Sequence, residues 1–423
     1  MGTGFQARAA IHPSQSRRYI LPFVRVGIDI RAISDFGVGT YIRNIVRALG
    51  CVDCKDEFLL IGDVERSFDM AKLPANFRAV SLTEPVSTTR GYFALRRCIR
   101  EERCDLLHIP TLFWLPPYLP PCPFLVTVHD VLDYMYRATN GARLRGAFNF
   151  YSTRYVLQHA AKIVAVSKFT KNDVSRLFEI FPDKIEVIYN AIDERFLLGH
   201  ATAQEREFIT ERYQVNYPFV LYAGRISPHK NLVRIIEAFS ALKTELAREN
   251  QLPDLKLIII GDEVSRHPDL RRTVIRGGVQ NDVRFLGFVP IDVLRLFYDA
   301  AKLFIFPSLY EGFGLPPLEA MAHGTPVVTS NASSLPEVVG NAAVMVNPEN
   351  VFDIMRAMQK ALTDQLLRDK LKLRGYEQVR KFSWEDSARA AYATVNFHQP
   401  ARRIFPRELP HLLVAPQLQL VPQ

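Results

Sequence analysis

Glu311 and Glu319 stand in the stretch Ser308-Leu-Tyr-Glu-Gly-Phe-Gly-Leu-Pro-Pro-Leu-Glu319-Ala-Met-Ala-His-Gly-Thr-Pro-Val327. Carboxylates accept paired hydrogen bonds from vicinal diols, which sugars and ribose both offer. Between them, Gly312 and Gly314 let a backbone come close to a ligand. A helix opening near Gly314 turns its first N–H groups toward an anion such as a diphosphate. A second constellation, Gly224-Arg225-Ile-Ser-Pro-His-Lys230-Asn231, sets two cations on one loop. Facing a helix N-terminus they form a diphosphate clamp, and they would stabilise charge on a departing phosphate. A third, Asp35-Phe-Gly37-Val-Gly39-Thr40-Tyr41, departs from the dinucleotide fingerprint, because Ile42 stands at its third glycine position and Arg31 to Phe36 are inserted before it. It suits a loop touching phosphate from across a cleft better than a nicotinamide site, and a plain turn reads the same way. A fourth, Thr127-Val-His129-Asp130, closes an apolar run, so its polar pair would face a cleft; a buried histidine capping a turn is the alternative. No G-x-x-x-x-G-K-[ST] is present, which excludes a P-loop nucleotidase.

These residues need elements to hold them. Short apolar runs recur at 24–30, 58–61, 77–82, 105–110, 124–129, 162–167 and 185–189, with helical patterns at 40–49 and 90–102 and a helix opened by Ser167 or Thr170. Near-continuous apolar runs separated by helices predict a parallel sheet covered on both faces. Residues 194–216 are polar and mark a boundary. A second series follows at 219–223, 255–260, 283–286, 303–306, 326–329 and 343–346, with a helix from Asn231, its expected N-cap. The expected fold is therefore α/β, two Rossmann-like doubly wound units: residues 24–195, joined by closing helices at about 380–396, and residues 215–379. Ligands in such folds sit at the carboxyl ends of the strands, here in a cleft between units. Residues 1–23 and 397–423 read as poorly ordered tails.

Composition narrows the class. With 48% hydrophobic and 23% charged residues among 423, the chain is globular and long enough for more than one domain. The net charge of +9 suggests an anionic partner, but +4 lies in residues 1–28 and +2 in 397–423. The remaining +3 argues against a nucleic-acid-binding domain. Cys51, Cys54, Cys98, Cys104 and Cys122 lack a second pair at zinc spacing and read as free thiols in a reducing cytoplasm. The longest uncharged stretch, Leu106 to His129, holds six prolines and cannot span a membrane as one helix. No apolar core of signal-peptide length is present near the N-terminus, so a cytoplasmic protein is expected.

The Glu311-x7-Glu319 block, Gly224-Arg-x4-Lys230 and Val-Ile-Tyr-Asn190-Ala-Ile-Asp193 together resemble family 4 glycosyltransferases of the two-Rossmann-domain (GT-B) type over about residues 24–395. The resemblance implies a retaining, metal-independent hexosyltransferase that uses a nucleotide-sugar donor (GDP-mannose or a UDP-hexose) and no cofactor. Its acceptor would be a glycan or lipid-linked molecule of cell-envelope or exopolysaccharide synthesis. By that resemblance Arg225 and Lys230 neutralise the leaving diphosphate, Glu311 contacts the sugar hydroxyls and Glu319 the ribose. Gly312, Phe313, Gly314 and Leu315 present backbone N–H groups, and His129 meets the sugar from the other unit. Gly37 or Gly39 approaches the diphosphate, while Gly261, Asp262 and Phe288 line the nucleobase pocket. Many members carry adjacent glycines in the opening loop; Gly37-Val-Gly39 resembles the mannosyltransferase-like branch, which points to GDP-mannose. A sugar-nucleotide epimerase of the same architecture and a catalytically silent scaffold are the rival readings. Arg90, Arg96, Arg97, Arg100 and Arg103, and the aromatic and basic stretch Tyr134 to Tyr155, could meet an anionic lipid surface, placing the protein peripherally on the inner face of the membrane. A solvated helix face with Glu101 and Glu102 opposite is the favoured reading of those residues.

Overall fold

The structure is a computed structural model that describes residues 23–52, 55–86, 88–112, 119–136, 143–261 and 264–396. The first sheet joins β1 (Arg25–Asp29), β2 (Glu57–Gly62), β3 (Phe77–Ser81), β4 (Leu106–Ile109), β5 (Phe124–Val128), β6 (Lys162–Ala165) and β7 (Ile185–Val187). Their order is β3-β2-β1-β4-β5-β6-β7, and every pair is parallel. The helices of this unit are α1 (Phe36–Gly50), α2 (Thr89–Glu101), α3 (Leu132–Tyr136), α4 (Arg143–His159) and α5 (Lys168–Phe178). After α6 (Ala203–Tyr213), the second sheet joins β8 (Phe219–Ala223), β9 (Lys256–Ile260), β10 (Val283–Gly287), β11 (Leu303–Phe306), β12 (Val327–Ser330) and β13 (Val344–Val346). Its order is β10-β9-β8-β11-β12-β13, again parallel. Around it lie α7 (Leu232–Arg248), α8 (Pro268–Arg276), α9 (Ile291–Ala300), α10 (Leu315–Ala322), α11 (Leu335–Val339), α12 (Val351–Thr363) and α13 (Gln365–Val379), followed by α14 (Trp384–Asn396).

This topology decides which loops meet. Strand order reverses between β1 and β4 in the first sheet and between β8 and β11 in the second, and ligands bind beyond such switch points. The loop after β8 carries Arg225 and Lys230, and the loop after β11 carries Glu311. Because β8 pairs with β11, those loops are neighbours. β5, one strand from β4, delivers His129.

The polar stretch 194–216 packs on the second unit: Phe196, Ala201, Ile209 and Val215 join its core. A capping box between Thr202 and Glu205 starts α6. α14 returns to the first unit, where Ala388 and Ala391 are buried with Ile28, Ile42 and Ile45. The Trp384 Nε1–H donates to the Ile192 carbonyl at 3.0 Å, and the Ser387 hydroxyl donates to that of Tyr189 at 2.6 Å.

Two expectations need correction. Asn231 stands at the N-cap position of α7, as expected, but its side chain makes no cap: its backbone is left-handed (φ 65°), and its amide donates instead to the carbonyls of Pro307 and Pro348. Asparagine tolerates that backbone, and the side chain thereby ties the cation-bearing loop to the end of β11. Second, α1 begins at Phe36 rather than near Thr40, so Gly37 and Gly39 lie in its first turns.

Candidate functional site

Lys230 and Glu311 meet directly. The Lys230 ammonium donates to both carboxylate oxygens of Glu311, at 2.6 and 2.8 Å, with side chains only 16% and 10% exposed. The same ammonium lies 5.1 Å from the centre of the Phe306 ring. Each of the two charged groups offers the other the partner that water would otherwise supply. Arg225 is exposed on the same loop. His229 between them is held toward its neutral form by burial first and then by the Lys230 charge.

The backbone after Glu311 is held from several directions. The Ser334 hydroxyl reaches the carbonyls of Glu311 (2.9 Å) and Phe313 (2.7 Å), and the Glu311 N–H donates to Ser333 Oγ at 3.0 Å. Gly314 is left-handed (φ 106°) and precedes α10, whose first turn carries Pro316 and Pro317. Prolines bring no N–H of their own. Among the described residues, the amides of Gly312, Phe313, Gly314 and Leu315 find no protein acceptor. Unpaired amides at a helix N-terminus suit an anion. The Phe313 side chain is buried against Tyr189 and Phe382, so only its backbone can meet a ligand.

Gly312 is also where the units touch. A Cβ there would lie 1.7 Å from the His129 carbonyl oxygen, which only glycine permits. His129 itself donates its Nε2–H to the Pro110 carbonyl at 2.9 Å and packs edge-on to Tyr41, with ring centroids 4.9 Å apart. Burial pushes its pKa down to about 4, the Pro110 bond opposing, so it is neutral at pH 7. That leaves Nδ1 as the free acceptor of this tautomer.

Glu319 lies a helix turn or two beyond Glu311 and has a different partner, the Tyr298 hydroxyl of α9 at 2.8 Å. Burial pushes its pKa up to about 7, the Tyr298 bond opposing. Gly261 presses on the Gly224 carbonyl, where a Cβ would stand at 2.2 Å. Phe288 follows the register shift of β10 and is 71% exposed. Asp262 lies outside the described residues. Gly39 is pinned against the Ile33 carbonyl, 2.1 Å from where a Cβ would sit, whereas a Cβ built on Gly37 would point into open space. Of the two glycines, Gly37 is the one with open space beside it.

The structure thus joins Lys230, Glu311, Gly312 and His129 in one place and leaves Glu319 on a separate contact. The sequence reading missed Tyr298, Ser333 and Ser334, and took Ser167 and Thr170 only as helix openers. Nothing in their local spacing points to a partner on the 311–313 loop or on α10.

Two doubly wound parallel sheets that touch at Gly312 and His129 form the GT-B architecture, with the Lys230–Glu311 pair beside that contact. Anabaena HepE, solved with UDP and glucose, superposes with a TM-score of 0.68 at 16% identity over 88% of this chain and 100% of that one. The description "Glycosyl transferases group 1" matches residues 204–378, and "Glycosyltransferase Family 4" matches residues 37–196. The O-antigen chain mannosyltransferase B of Escherichia coli is 35% identical over 292 residues, 68% of this chain and 73% of that protein. The serotype-specific mannosyltransferase WbdA of Escherichia coli is 34% identical over 275 residues, 64% of this chain. The chain spans 33% of WbdA's own length. The chain belongs to the group 1, family 4 glycosyltransferases.

Gly312→Ala should cost about 2–3 kcal/mol in chemical unfolding, because the backbone of His129 cannot yield as a flexible side chain would. Gly37→Ala, in open space in a helix, should be neutral or gain up to about 1 kcal/mol. Equal stability of the two variants would refute the contact. Glu319 binds a proton more tightly folded than unfolded, so its stabilising effect is full below about pH 4.5 and is lost as pH rises through about 7. Glu319→Gln should therefore unfold about 1–2 kcal/mol later than wild type at pH 8, and the difference should vanish at pH 4.5. A constant offset across that range would show that the carboxyl does not titrate as stated.

Proposed function

We propose that this protein is a retaining, metal-independent hexosyltransferase that moves mannose from GDP-mannose to a glycan or lipid-linked acceptor in O-antigen-type or other cell-envelope polysaccharide synthesis. The observation that carries the reading is the half-buried Lys230–Glu311 pair beside the unpaired amides of residues 312–315. The mannosyltransferase names of the two relatives and the Gly37-Val-Gly39 loop support mannose over other hexoses.

In this reading Lys230 and Arg225 take the charge that develops on the leaving diphosphate, and the amides of residues 312–315 hold its oxygens or the sugar. Glu311 accepts from the sugar hydroxyls and Glu319 from the ribose. Neutral His129 offers Nδ1 to a sugar hydroxyl without adding a charge that would compete for the diphosphate. Phe288 presents an exposed ring on which a nucleobase can stack. The two carboxylates have partners of their own, Lys230 and Tyr298, and neither stands as a nucleophile; departure and attack on the same face of the sugar would retain configuration without a covalent intermediate. Closure of the units around the donor excludes water that would hydrolyse it.

In this reading α2 meets an anionic lipid surface or the diphosphate of a lipid-linked acceptor, whose hydroxyl still has to reach the donor sugar. Phe93, Arg96, Arg97, Arg100 and Glu101 line an open recess of about 500 Å³ on the first unit, away from Lys230 and Glu311. Phe93 is 51% exposed. On α4, Phe148, Tyr151 and Tyr155 are exposed at helical spacing beside Arg154. Basic and aromatic side chains on one side of a unit suit an anionic lipid surface. Among the described residues, no helix is long and apolar enough to cross a membrane.

Lys230→Ala and Glu311→Ala should each lose transfer by at least about a hundredfold, with GDP-mannose the preferred donor in a nucleotide-sugar panel. Each leaves a partly buried charge unpaired, so thermal midpoints are read alongside. Near-normal turnover in either folded variant would sink the assignment, and a new epimer formed from the donor without acceptor would favour an epimerase. Binding to anionic vesicles at low salt should fall when Arg96 and Arg97 are neutralised, and retention that survives the change would dismiss the lipid surface.

A further inference from the structure

Two hydroxyls of the first unit converge on one carbonyl of the second. Ser167 Oγ donates to the Gly312 carbonyl at 2.7 Å, and Thr170 Oγ1 donates to the same oxygen at 3.0 Å. Both side chains are fully buried. Each hydroxyl has one hydrogen and the carbonyl has two lone pairs, so both can donate to it; Ser167 Oγ also lies 3.1 Å from Thr170 Oγ1, and when it donates there Thr170 remains the donor to the carbonyl. Ser167 uses its own lone pair to accept from the Thr170 N–H at 3.0 Å, which caps α5. One turn along the same helix face, Asp173 accepts from the Tyr310 hydroxyl at 2.8 Å. At the start of α5, Glu337 of α11 accepts from the N–H groups of Lys168 and Phe169 and from the Tyr189 hydroxyl. The opening turns of α5 are thus docked on the loop 310–312.

In a trans peptide the carbonyl and the following N–H point in opposite directions. Holding the Gly312 carbonyl on α5 therefore turns the Phe313 N–H away from α5. That amide is one of those with no protein acceptor among the described residues. The neighbouring carbonyls, of Glu311 and Phe313, belong to Ser334 of the second unit. Without the α5 hydroxyls, the peptide between Gly312 and Phe313 would be the one link of this loop with no side chain holding it. A glycine before it supplies no steric restraint of its own.

We propose that Ser167 and Thr170 are positioning residues for the donor loop, through which the first unit orients backbone amides that meet the nucleotide sugar. This rests on the proposed reading of that loop as the donor site. It makes donor affinity depend on buried residues of the first unit that do not themselves touch the donor.

The test uses the full chain, with GDP and UDP as binding probes and nucleotide sugar for turnover. Thr170→Val keeps shape and removes the donor; it should weaken nucleotide binding and raise donor KM about fivefold, the effect of one hydrogen bond. The acceptor KM should stay within about twofold of wild type. Thr170→Ser should restore the donor KM, and a Ser167→Ala/Thr170→Val double variant should exceed the single loss. A packing role alone would follow side-chain volume, so that valine matched threonine while serine did not. If wild type binds GDP or UDP and folded Thr170→Val binds and turns over as wild type does, the inference is overturned by itself. If wild type binds neither nucleotide, the proposed function falls and takes this inference with it. Because Thr170→Val leaves the Ser167 cap in place, the test stands even if the double variant does not fold.

Discussion

The backbone contact between Gly312 and the His129 carbonyl sets the terms for the rest of the site. With room there for no side chain, the two sheets approach to main-chain distance at one point. Everything beside that point is arranged to keep it. α5 hydroxyls hold the Gly312 carbonyl from the first unit, and Ser334 holds its neighbours from the second. Glu311, one residue earlier, can then meet Lys230 only because β8 and β11 are adjacent strands.

Desolvation shifts His129, at this junction, and Glu319, on its separate contact with Tyr298, in opposite directions. It lowers His129 to about 4 and raises Glu319 to about 7, in both cases favouring the uncharged form. Lys230 and Glu311 instead pair with each other at 2.6 Å. The consequence is a site whose local charge is largely compensated. The formal net charge of +9 says little about it, since most of that excess lies in the terminal segments.

Much of the architecture was legible in the sequence because buried parallel strands write themselves as short apolar runs. Strands such as Phe219–Ala223 and Leu303–Phe306 fall where those runs lie. The Lys230 and Glu311 loops were legible for a related reason: loops after adjacent switch-point strands must be neighbours, and both carried charge. Asn231 misled, since its side chain satisfies two distant carbonyls and its own backbone is left-handed. Gly39 looked like a ligand-facing glycine and proves to be pressed on Ile33, a contact no spacing rule contains. Tyr298, Ser334, Ser167 and Thr170 were illegible as site residues because each acts across the fold, on a chain segment many residues away.

On the proposed reading, the Lys230–Glu311 pair also bears on how a donor is distinguished from its product. A nucleoside diphosphate brings oxygens for Lys230 but no hydroxyl in the sugar position for Glu311. If it draws the ammonium away, it leaves a half-buried carboxylate without a partner, which is costly. A nucleotide sugar brings both: phosphate oxygens for the cation and hydroxyls that donate to the carboxylate. The pair can then exchange its internal bonds for bonds to one ligand with neither charge stranded. After transfer the sugar has left, Glu311 has lost its donors, and re-forming the pair opposes retention of the diphosphate. The same two residues that hold each other in the empty site thereby favour the entry of donor over the persistence of product.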